Sequence, residues 1–407
     1  MNKCFLIAPL LLATAEALAQ TVVVPNDLHF RDQAGFDHSA GIDSIQVYSY
    51  KTGRQAINVA EGIPLDMEKA WGVTTGSKDV VVAIIDDGFF YRHEDLAGNI
   101  WQNPGETGVD KNGLRKESNG IDDDNNGYID DVMGWDFVFD DPDPDPYVFD
   151  GMDRTRVQPY WHSMGAMGII GAKGNNGIGV AGINWNISMM LLKIGAQGIR
   201  MHELDSSRAD RAVRAIRYAA DNGARIINWS GFVDDKRPEK INALHDAVRY
   251  AAAKNVLLVV GAGNDGNNLD ENQGCIYPQC FEDSSIIKVA EVNFDGALYQ
   301  YLAGDRKLGS NYGKRLVQIG AIGSNFTTFL KNNQSVYALA GGTSNAGPVV
   351  AGVAALMLSV RLQLTIKDLK EILLKTATPV KALDGKVECG GVVNAYRAVK
   401  MAKENYH

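Results

Sequence analysis

Four polar residues whose chemistry fits a single reaction occur far apart in the chain, in the order Asp86, His162, Asn264 and Ser344. A serine hydroxyl is a poor nucleophile until a base takes its proton, and an imidazole does so when a buried carboxylate fixes its tautomer. The oxyanion that forms in acyl transfer needs hydrogen-bond donors, which an asparagine amide and the N–H groups at a helix start supply. The four residues together predict a serine nucleophile with a base, an orienting acid and an oxyanion donor.

Each of these residues also has an ordinary structural interpretation when it is taken alone. Ser344 opens an apolar run rich in Ala and Gly, where a serine is commonly a helix N-cap. Asp86 and Asn264 lie in stretches rich in Asp and Gly, which are typical of turns. His162 precedes a helix of small residues and needs no catalytic role there. The prediction therefore depends on the combination and not on any one member.

The elements that position these residues are predicted by hydrophobic runs. Continuous apolar runs are typical of strands buried on both faces of a parallel sheet. One such run covers residues 80–85, and the largely apolar segments 187–192, 224–228, 256–260 and 286–290 are interpreted in the same way. Helical patterns at 206–222 and 241–254 separate strands and predict crossover units. We therefore expect an α/β fold with one doubly wound, mainly parallel sheet, helices on both faces and a single domain. Sites form at the carboxyl ends of such strands, where Asp86 and Asn264 occur.

The composition excludes some classes of function. Of the 407 residues, 45% are hydrophobic and 22% are charged, which is typical of a soluble globular protein. The formal charge of −9 argues against general nucleic-acid binding, because phosphate contacts need clustered Lys and Arg. No late segment is expected to reach the uninterrupted apolar length of a membrane span.

The first residues of the chain have the pattern of an export signal. Lys3 precedes a short apolar run, and a small-x-small site ends at Ala19. We expect a signal peptide over 1–19, cleavage near Gln20, and a secreted or periplasmic protein; an N-terminal helix of the mature fold is the alternative. Export would allow Cys275 and Cys280 to be oxidised, but the sequence leaves their bridging open.

Residues 103–160 interrupt the strand and helix rhythm and are predicted to lie outside the core. Within them, residues at alternate positions have the spacing of a calcium loop. The expected ligands are Asp122, Asp124, Asn126, Tyr128 through its carbonyl, and Asp130. Met133 stands where an EF-hand loop has its closing acid, and a solvated acidic turn is the alternative. We expect structural calcium and no organic cofactor.

Taken together, the motifs resemble those of the subtilisin-like serine peptidases, and they occur in the same order. The matching segments are 83–88, 93–96, 162–182, 261–266, 342–348 and 390–395. The resemblance implies a secreted serine endopeptidase in which Asp86, His162 and Ser344 form the triad and Asn264 holds the oxyanion. It implies polypeptide substrates, and a monomer is expected. An irregular N-terminal arm over 20–65, without a folded pro-domain, would precede the peptidase domain at 66–400.

The sequence departs from the family pattern near the expected site. Asp87 stands where the family has Ser or Thr; it either faces away, as neighbouring strand residues do, or adds a second acid that raises the proton affinity of the histidine. Gly165 replaces a second histidine, and Asn345 replaces a methionine after the nucleophile.

The expected substrate strand is altered as well. Residues Ser230, Gly231 and Phe232 are expected to bind substrate, but the family's large residue and glycine are exchanged here. The alternative function is therefore a catalytically weak or inactive protein that binds peptides through an altered cleft. A serine esterase on another α/β fold fits poorly, since Ala346 interrupts its Gly-x-Ser-x-Gly motif and its acid and base follow the serine.

Overall fold

The computed structural model describes residues 21–33, 44–49, 53–58, 62–146, 162–195, 207–271, 274–303, 306–331 and 334–404. The predicted signal peptide and residues 147–161 of the predicted insertion lie outside the described residues. The strands are β1 (Ser44–Ser49), β2 (Gly53–Asn58), β3 (Gly76–Asp86), β4 (Gly134–Asp136), β5 (Asn186–Lys193), β6 (Ile226–Trp229), β7 (Leu257–Gly261), β8 (Ile286–Val292), β9 (Gln300–Ala303), β10 (Arg306–Gly309), β11 (Ile319–Ile322), β12 (Asn325–Lys331), β13 (Gln334–Ala340), β14 (Thr378–Pro379) and β15 (Gly391–Val392). The helices are α1 (Met67–Trp71), α2 (His162–Gly171), α3 (Arg208–Asp221), α4 (Pro238–Ala253), α5 (Thr343–Val360), α6 (Ile366–Thr376) and α7 (Ala395–Glu404).

Nine of these strands form one sheet at the centre of the molecule. Their order is β14-β15-β11-β8-β7-β6-β3-β5-β4, and every neighbouring pair is parallel except β14 with β15. The five predicted strands are β3, β5, β6, β7 and β8, and the two predicted helices are α3 and α4. The predicted α/β class with a mainly parallel sheet is therefore confirmed.

Both faces of the sheet are covered by helices, as the alternation along β3 shows. Val82 and Ile84 face the core that contains α2 and α5. Ala83 and Ile85 face the core that contains α3 and α4. All four side chains are fully buried, which explains why the run in the sequence is continuously apolar rather than alternating.

The topology places a crevice at the end of β3. This strand lies between β5 and β6, so the direction of winding reverses there. In a doubly wound sheet, the carboxyl ends of the strands at such a point leave room for a ligand. Asp86 is the last residue of β3, and Asn264 follows β7 three residues after its end.

The predicted insertion is not outside the core, which corrects the sequence prediction. β4 is an edge strand of the central sheet; Trp135 within it and Phe137 directly after it are buried. Asp136 Oδ2 lies 2.7 Å from Lys193 Nζ on β5, with both side chains 1% exposed. A buried pair of opposite charges fixes this edge, because removing one partner would leave the other uncompensated. Because the insertion is rich in acidic residues, its sequence pattern did not indicate this strand.

Two further predictions need correction. The arm over 20–65 is not irregular throughout, because β1 and β2 pair as an antiparallel hairpin. The helix α5 is long and apolar enough to cross a membrane by length and composition, although no such late segment was expected. In the fold, 83% of its residues are buried, which is typical of a core helix.

Candidate active site

The predicted acid, base and nucleophile meet at the carboxyl edge of the sheet. His162 Nδ1 lies 2.8 Å from Asp86 Oδ1 and 2.9 Å from Oδ2. The other ring nitrogen, Nε2, lies 3.0 Å from Ser344 Oγ. Asp86 is 2% exposed, and its Oδ1 accepts a further hydrogen bond of 2.8 Å from the N–H of Asp87. In this geometry Nδ1–H donates to Asp86, which leaves Nε2 able to accept the proton of the serine.

Electrostatics favour the charged form of the histidine. Burial is the largest single influence and disfavours a charge on the ring, but the charge and hydrogen bond of Asp86, together with smaller contributions, outweigh it, so the pKa of His162 lies above its ordinary value of 6.5. Asp87 raises this pKa further, and Arg208 lowers it. Since the base must be neutral to take a proton, any reaction that uses it should gain rate as the pH rises through a pKa above 6.5.

Two hydrogen-bond donors converge beside the nucleophile. Asn264 Oδ1 accepts from the N–H of Thr343 at 3.0 Å and from its hydroxyl at 3.1 Å, which fixes the orientation of the amide. A Cβ placed on Gly342 would lie 3.8 Å from the nitrogen of Ser344 and 4.0 Å from Asn264 Nδ2. Both nitrogens thus border one small volume at the start of α5, where an oxyanion would be stabilised.

One wall of the site is the segment after β6. Ser230 Oγ donates to the carbonyl of Ser344 at 2.7 Å, and Ser344 Oγ lies 3.3 Å from the carbonyl of Ser230. Ser230, Gly231 and Phe232 line a cleft of about 1750 Å³ that also contains His162. The Phe232 side chain is 47% exposed, so it stands at the rim of the cleft and does not fill it.

A disulfide loop links this wall to the end of the neighbouring strand β7. Cys275 and Cys280 are bridged, which answers the question that the sequence left open. Between them, Gln279 Nε2 donates to the carbonyl of Gly231 at 3.0 Å and to that of Gly261 at 3.1 Å. Within the described residues Cys389 makes no disulfide.

Comparison with known proteins gives this geometry its context. A model of the subtilase family matches residues 77–397, a span that includes all four predicted residues. The chain belongs to the subtilase family. It is 30% identical over 336 residues to the thermophilic serine proteinase of Bacillus sp. (strain AK1), in an alignment that covers 81% of this chain and 64% of that protein. It is 28% identical over 335 residues to thermitase of Thermoactinomyces vulgaris, covering 82% of this chain and 92% of thermitase.

A third relative of this subtilase is subtilisin-like protease 1 of Plasmodium berghei (strain Anka), at 29% identity over 347 residues; the alignment covers 81% of this chain and 51% of the relative. The chain therefore spans between half and two thirds of the length of the first curated relatives that it matches. Among solved structures, a protease from Pseudoalteromonas arctica PAMC 21717 superposes with a TM-score of 0.62 at 24% identity, covering 93% of this chain and 99% of that one. The nisin leader peptidase of Lactococcus lactis superposes with a TM-score of 0.55 at 21% identity, covering 84% and 94%. These likenesses show the subtilisin-like fold.

Two residues at which this subtilase departs from the family pattern, Gly165 and Asn345, are neighbours in the fold. Asn345 is 1% exposed, and its Nδ2 donates to the carbonyl of Gly341 at 3.0 Å. A Cβ on Gly165 would lie 2.8 Å from Asn345 Oδ1, closer than two such atoms approach. The residue after the nucleophile therefore occupies the space that a side chain at position 165 would need. The two substitutions form one packing arrangement.

The predicted calcium ligands are only partly brought together. Asp124 belongs to a group in which one oxygen each of Glu106, Asp124 and Asp131 lie within 4.8 Å of one another. Asp122 instead accepts hydrogen bonds from the N–H groups of Asn126 at 3.1 Å and Gly127 at 2.8 Å.

The other predicted ligands serve the loop in different ways. The carboxylate of Asp130 accepts from the N–H of Gly120 at 3.1 Å. The Tyr128 ring packs edge-on against Trp135, with ring centroids 4.9 Å apart. Asn126 Nδ2 donates to Asp131 Oδ2 at 2.9 Å, so its side chain hydrogen-bonds to the acidic group without being a member of it.

Sequence reasoning missed Glu106 and Asp131, which are both fully buried. Glu106 Oε1 accepts from the N–H of Asp123 at 2.7 Å, but its buried Oε2 has no hydrogen-bond partner. Burial raises the pKa of both carboxyls, and the neighbouring carboxylate of Asp124 raises them further. An unpartnered buried carboxylate oxygen that faces two other acids fits a hard cation. The position of Asp131 shortly after Asp124 could have suggested that it is a ligand, whereas no sequence motif around Glu106 suggests this role.

Proposed function

We propose that this subtilase is a serine endopeptidase. In the proposed reaction Ser344 attacks a peptide carbonyl while His162 takes its proton and returns it to the leaving amine. Asp86 orients the imidazole, and Asn264 with the N–H of Ser344 stabilises the oxyanion. The observation that carries the proposal is the continuous hydrogen-bonded chain from Asp86 through His162 to Ser344.

The nucleophile is tested with a fluorescent fluorophosphonate, which labels only an activated serine. We expect the purified wild type to be labelled and Ser344→Ala to lose both labelling and peptide hydrolysis. A matched control is Ser359→Ala at the far end of α5, since Ser359 bonds the carbonyl of Leu356 and lies away from the cleft. Labelling of Ser344→Ala at the wild-type level would contradict the proposal. A folded wild type that binds peptides without labelling would favour the inactive, peptide-binding alternative.

Substrate is proposed to lie along the wall formed by Ser230, Gly231 and Phe232. An extended peptide placed there adds a strand beside the segment that follows β6, so that main-chain hydrogen bonds hold it and side chains enter the cleft. Phe232→Gly restores the smaller residue at this position. We expect it to change KM for peptides that differ in large residues near the scissile bond while labelling by the fluorophosphonate persists. Equal KM changes for all peptides would contradict this placement.

Calcium is proposed to stabilise the insertion. Glu106, Asp124 and Asp131 would hold the ion, and the chemistry it supplies is charge compensation for three carboxylates that otherwise face one another. This ligand set replaces the set predicted from loop spacing, of which it keeps Asp124. No organic cofactor enters the proposal.

Export is proposed from two observations of different kinds. Residues 1–19 have the pattern of a signal peptide, and the disulfide between Cys275 and Cys280 is of a kind that persists in oxidising compartments. Expression of the full chain in a bacterial host should give a mature protein outside the cytoplasm whose N-terminus lies near Gln20. A full-length N-terminus on soluble cytoplasmic protein would contradict the proposal.

A further inference from the structure

Asp87, the acid that follows Asp86, has a basic partner in the cleft. Its Oδ1 lies 2.9 Å from Arg208 Nη2, with the two side chains 33% and 24% exposed. The contact lacks the alignment of a hydrogen bond, so the attraction is mainly between charges. Both residues line the cleft together with His162.

The surrounding backbone leaves room for this pair. A Cβ on Gly195 would lie 2.1 Å from Asp87 Oδ1 and 3.0 Å from Arg208 Nη1. A Cβ on Gly231, in the wall that follows β6, would lie 3.2 Å from Arg208 Nη2. Glycine at both positions thus lets the guanidinium enter the site. Arg208 is also the first residue of α3, whose N-cap is Ser207, so its backbone is fixed.

We propose that Arg208 is a positioning residue that holds Asp87 and compensates its charge, so that the effect of a second carboxylate beside Asp86 on the base is offset. The proposal rests on the proposed function and adds to it a residue outside the triad. Without a counter-charge, Asp87 would favour the imidazolium and slow the removal of the serine proton at neutral pH. The charged groups that act on His162 include Asp86, Asp87 and Arg208, and the last two act in opposite directions.

The test is a set of pH profiles of kcat/KM for Arg208→Gln, Asp87→Asn, the double variant and Arg208→Lys. We expect Arg208→Gln to move the acid limb up by about 0.3–1 pH unit and Asp87→Asn to move it down, as Coulomb energies across a half-solvated site predict. The double variant should return close to the wild type, and Arg208→Lys should restore it because only charge is needed. The shifts should shrink with added salt.

A titration of the His162 ring by NMR in the Ser344→Ala background separates this proposal from the proposed function, since it needs no activity. His162→Gln identifies the resonance among the seven histidines. Opposite shifts in the two single variants support the proposal even if no peptide is hydrolysed. An unchanged ring pKa in folded Arg208→Gln, or an Arg208→Lys variant that behaves like Arg208→Gln, would overturn it.

Discussion

The cleft and the acidic insertion both gather carboxylates, but they balance them differently. In the cleft, the chain supplies a counter-charge for the two acids nearest the nucleophile, with His162 beside Asp86 and Arg208 beside Asp87. In the insertion, Glu106 and Asp131 meet Asp124, and one oxygen of Glu106 has no partner. The comparison teaches that the charges of Asp86 and Asp87 are balanced by side chains of the protein, whereas those of the insertion need a cation or protons from solution.

The magnitudes support this distinction. Two unit charges separated by about 5 Å repel by about 3 kcal/mol at an effective dielectric constant near 20. Three acids in mutual contact would therefore take up protons or a cation, and burial raises the pKa of Glu106 and Asp131 accordingly. Because a cation must displace those protons, its affinity should fall as the pH is lowered.

The largest expected effect comes from breaking the cleft. Asp86→Asn keeps the shape of the side chain but removes the charge that fixes the tautomer of His162. We expect kcat/KM for a peptide to fall by about 10⁴-fold while the melting temperature changes little. Peptide hydrolysis and thermal unfolding, measured on the same sample, check both parts. A loss of less than tenfold would mean that Asp86 does not orient the base.

A smaller effect, on stability and not on chemistry, is expected from the insertion. Chelation of calcium should lower the melting temperature by about 4 °C, since an ion at 100 times its Kd contributes about 2.7 kcal/mol and the entropy of unfolding is about 2 cal/mol/K per residue. Glu106→Gln should remove the calcium dependence, while fluorophosphonate labelling well below the melting temperature stays unchanged.

The matched control for this experiment is Glu117→Gln, in the same insertion. Glu117 Oε2 lies 3.3 Å from Arg115 in a largely exposed ion pair, which contributes little to stability. Its variant should keep the full response to calcium. If Glu106→Gln and Glu117→Gln respond alike, the buried acids do not bind the ion.

The comparison also shows how far sequence reasoning reaches. The triad could be predicted because Asp86 ends a strand and Ser344 starts a helix, so that element boundaries mark both. The calcium ligands could not be predicted in full, because the acid of Asp122 is taken up by backbone N–H groups within its own loop. Glu106 lies eighteen residues before Asp124, and only the folded backbone brings the two together. Arg208 carries no local signal either, since it lies at the start of helix α3 and its partner Asp87 follows strand β3 much earlier in the chain.

The smallest expected effect concerns the packing beneath the nucleophile. In Gly165→Ala the new methyl would meet Asn345 Oδ1 at 2.8 Å, which should cost about 1–3 kcal/mol through overpacking. Against this, alanine is favoured over glycine inside a helix such as α2 by about 1 kcal/mol. The net loss in free energy of unfolding should therefore be only about 1 kcal/mol. The two opposing contributions can be separated by removing the side chain that the methyl would meet.

In the Asn345→Ala background the steric term disappears, so that Gly165→Ala should become neutral or stabilising. The double-mutant cycle, measured by denaturant unfolding, should therefore give a coupling free energy of about 1 kcal/mol or more. Purely additive costs would mean that position 165 tolerates a side chain for another reason, and that the two departures from the family pattern are independent. Because Asn345 is adjacent to Ser344, the same cycle measured on kcat would show whether this packing also holds the nucleophile in place. A coupling in stability without one in kcat would show that this packing stabilises the core but does not position Ser344. The balance beside the base would then depend on its charges alone.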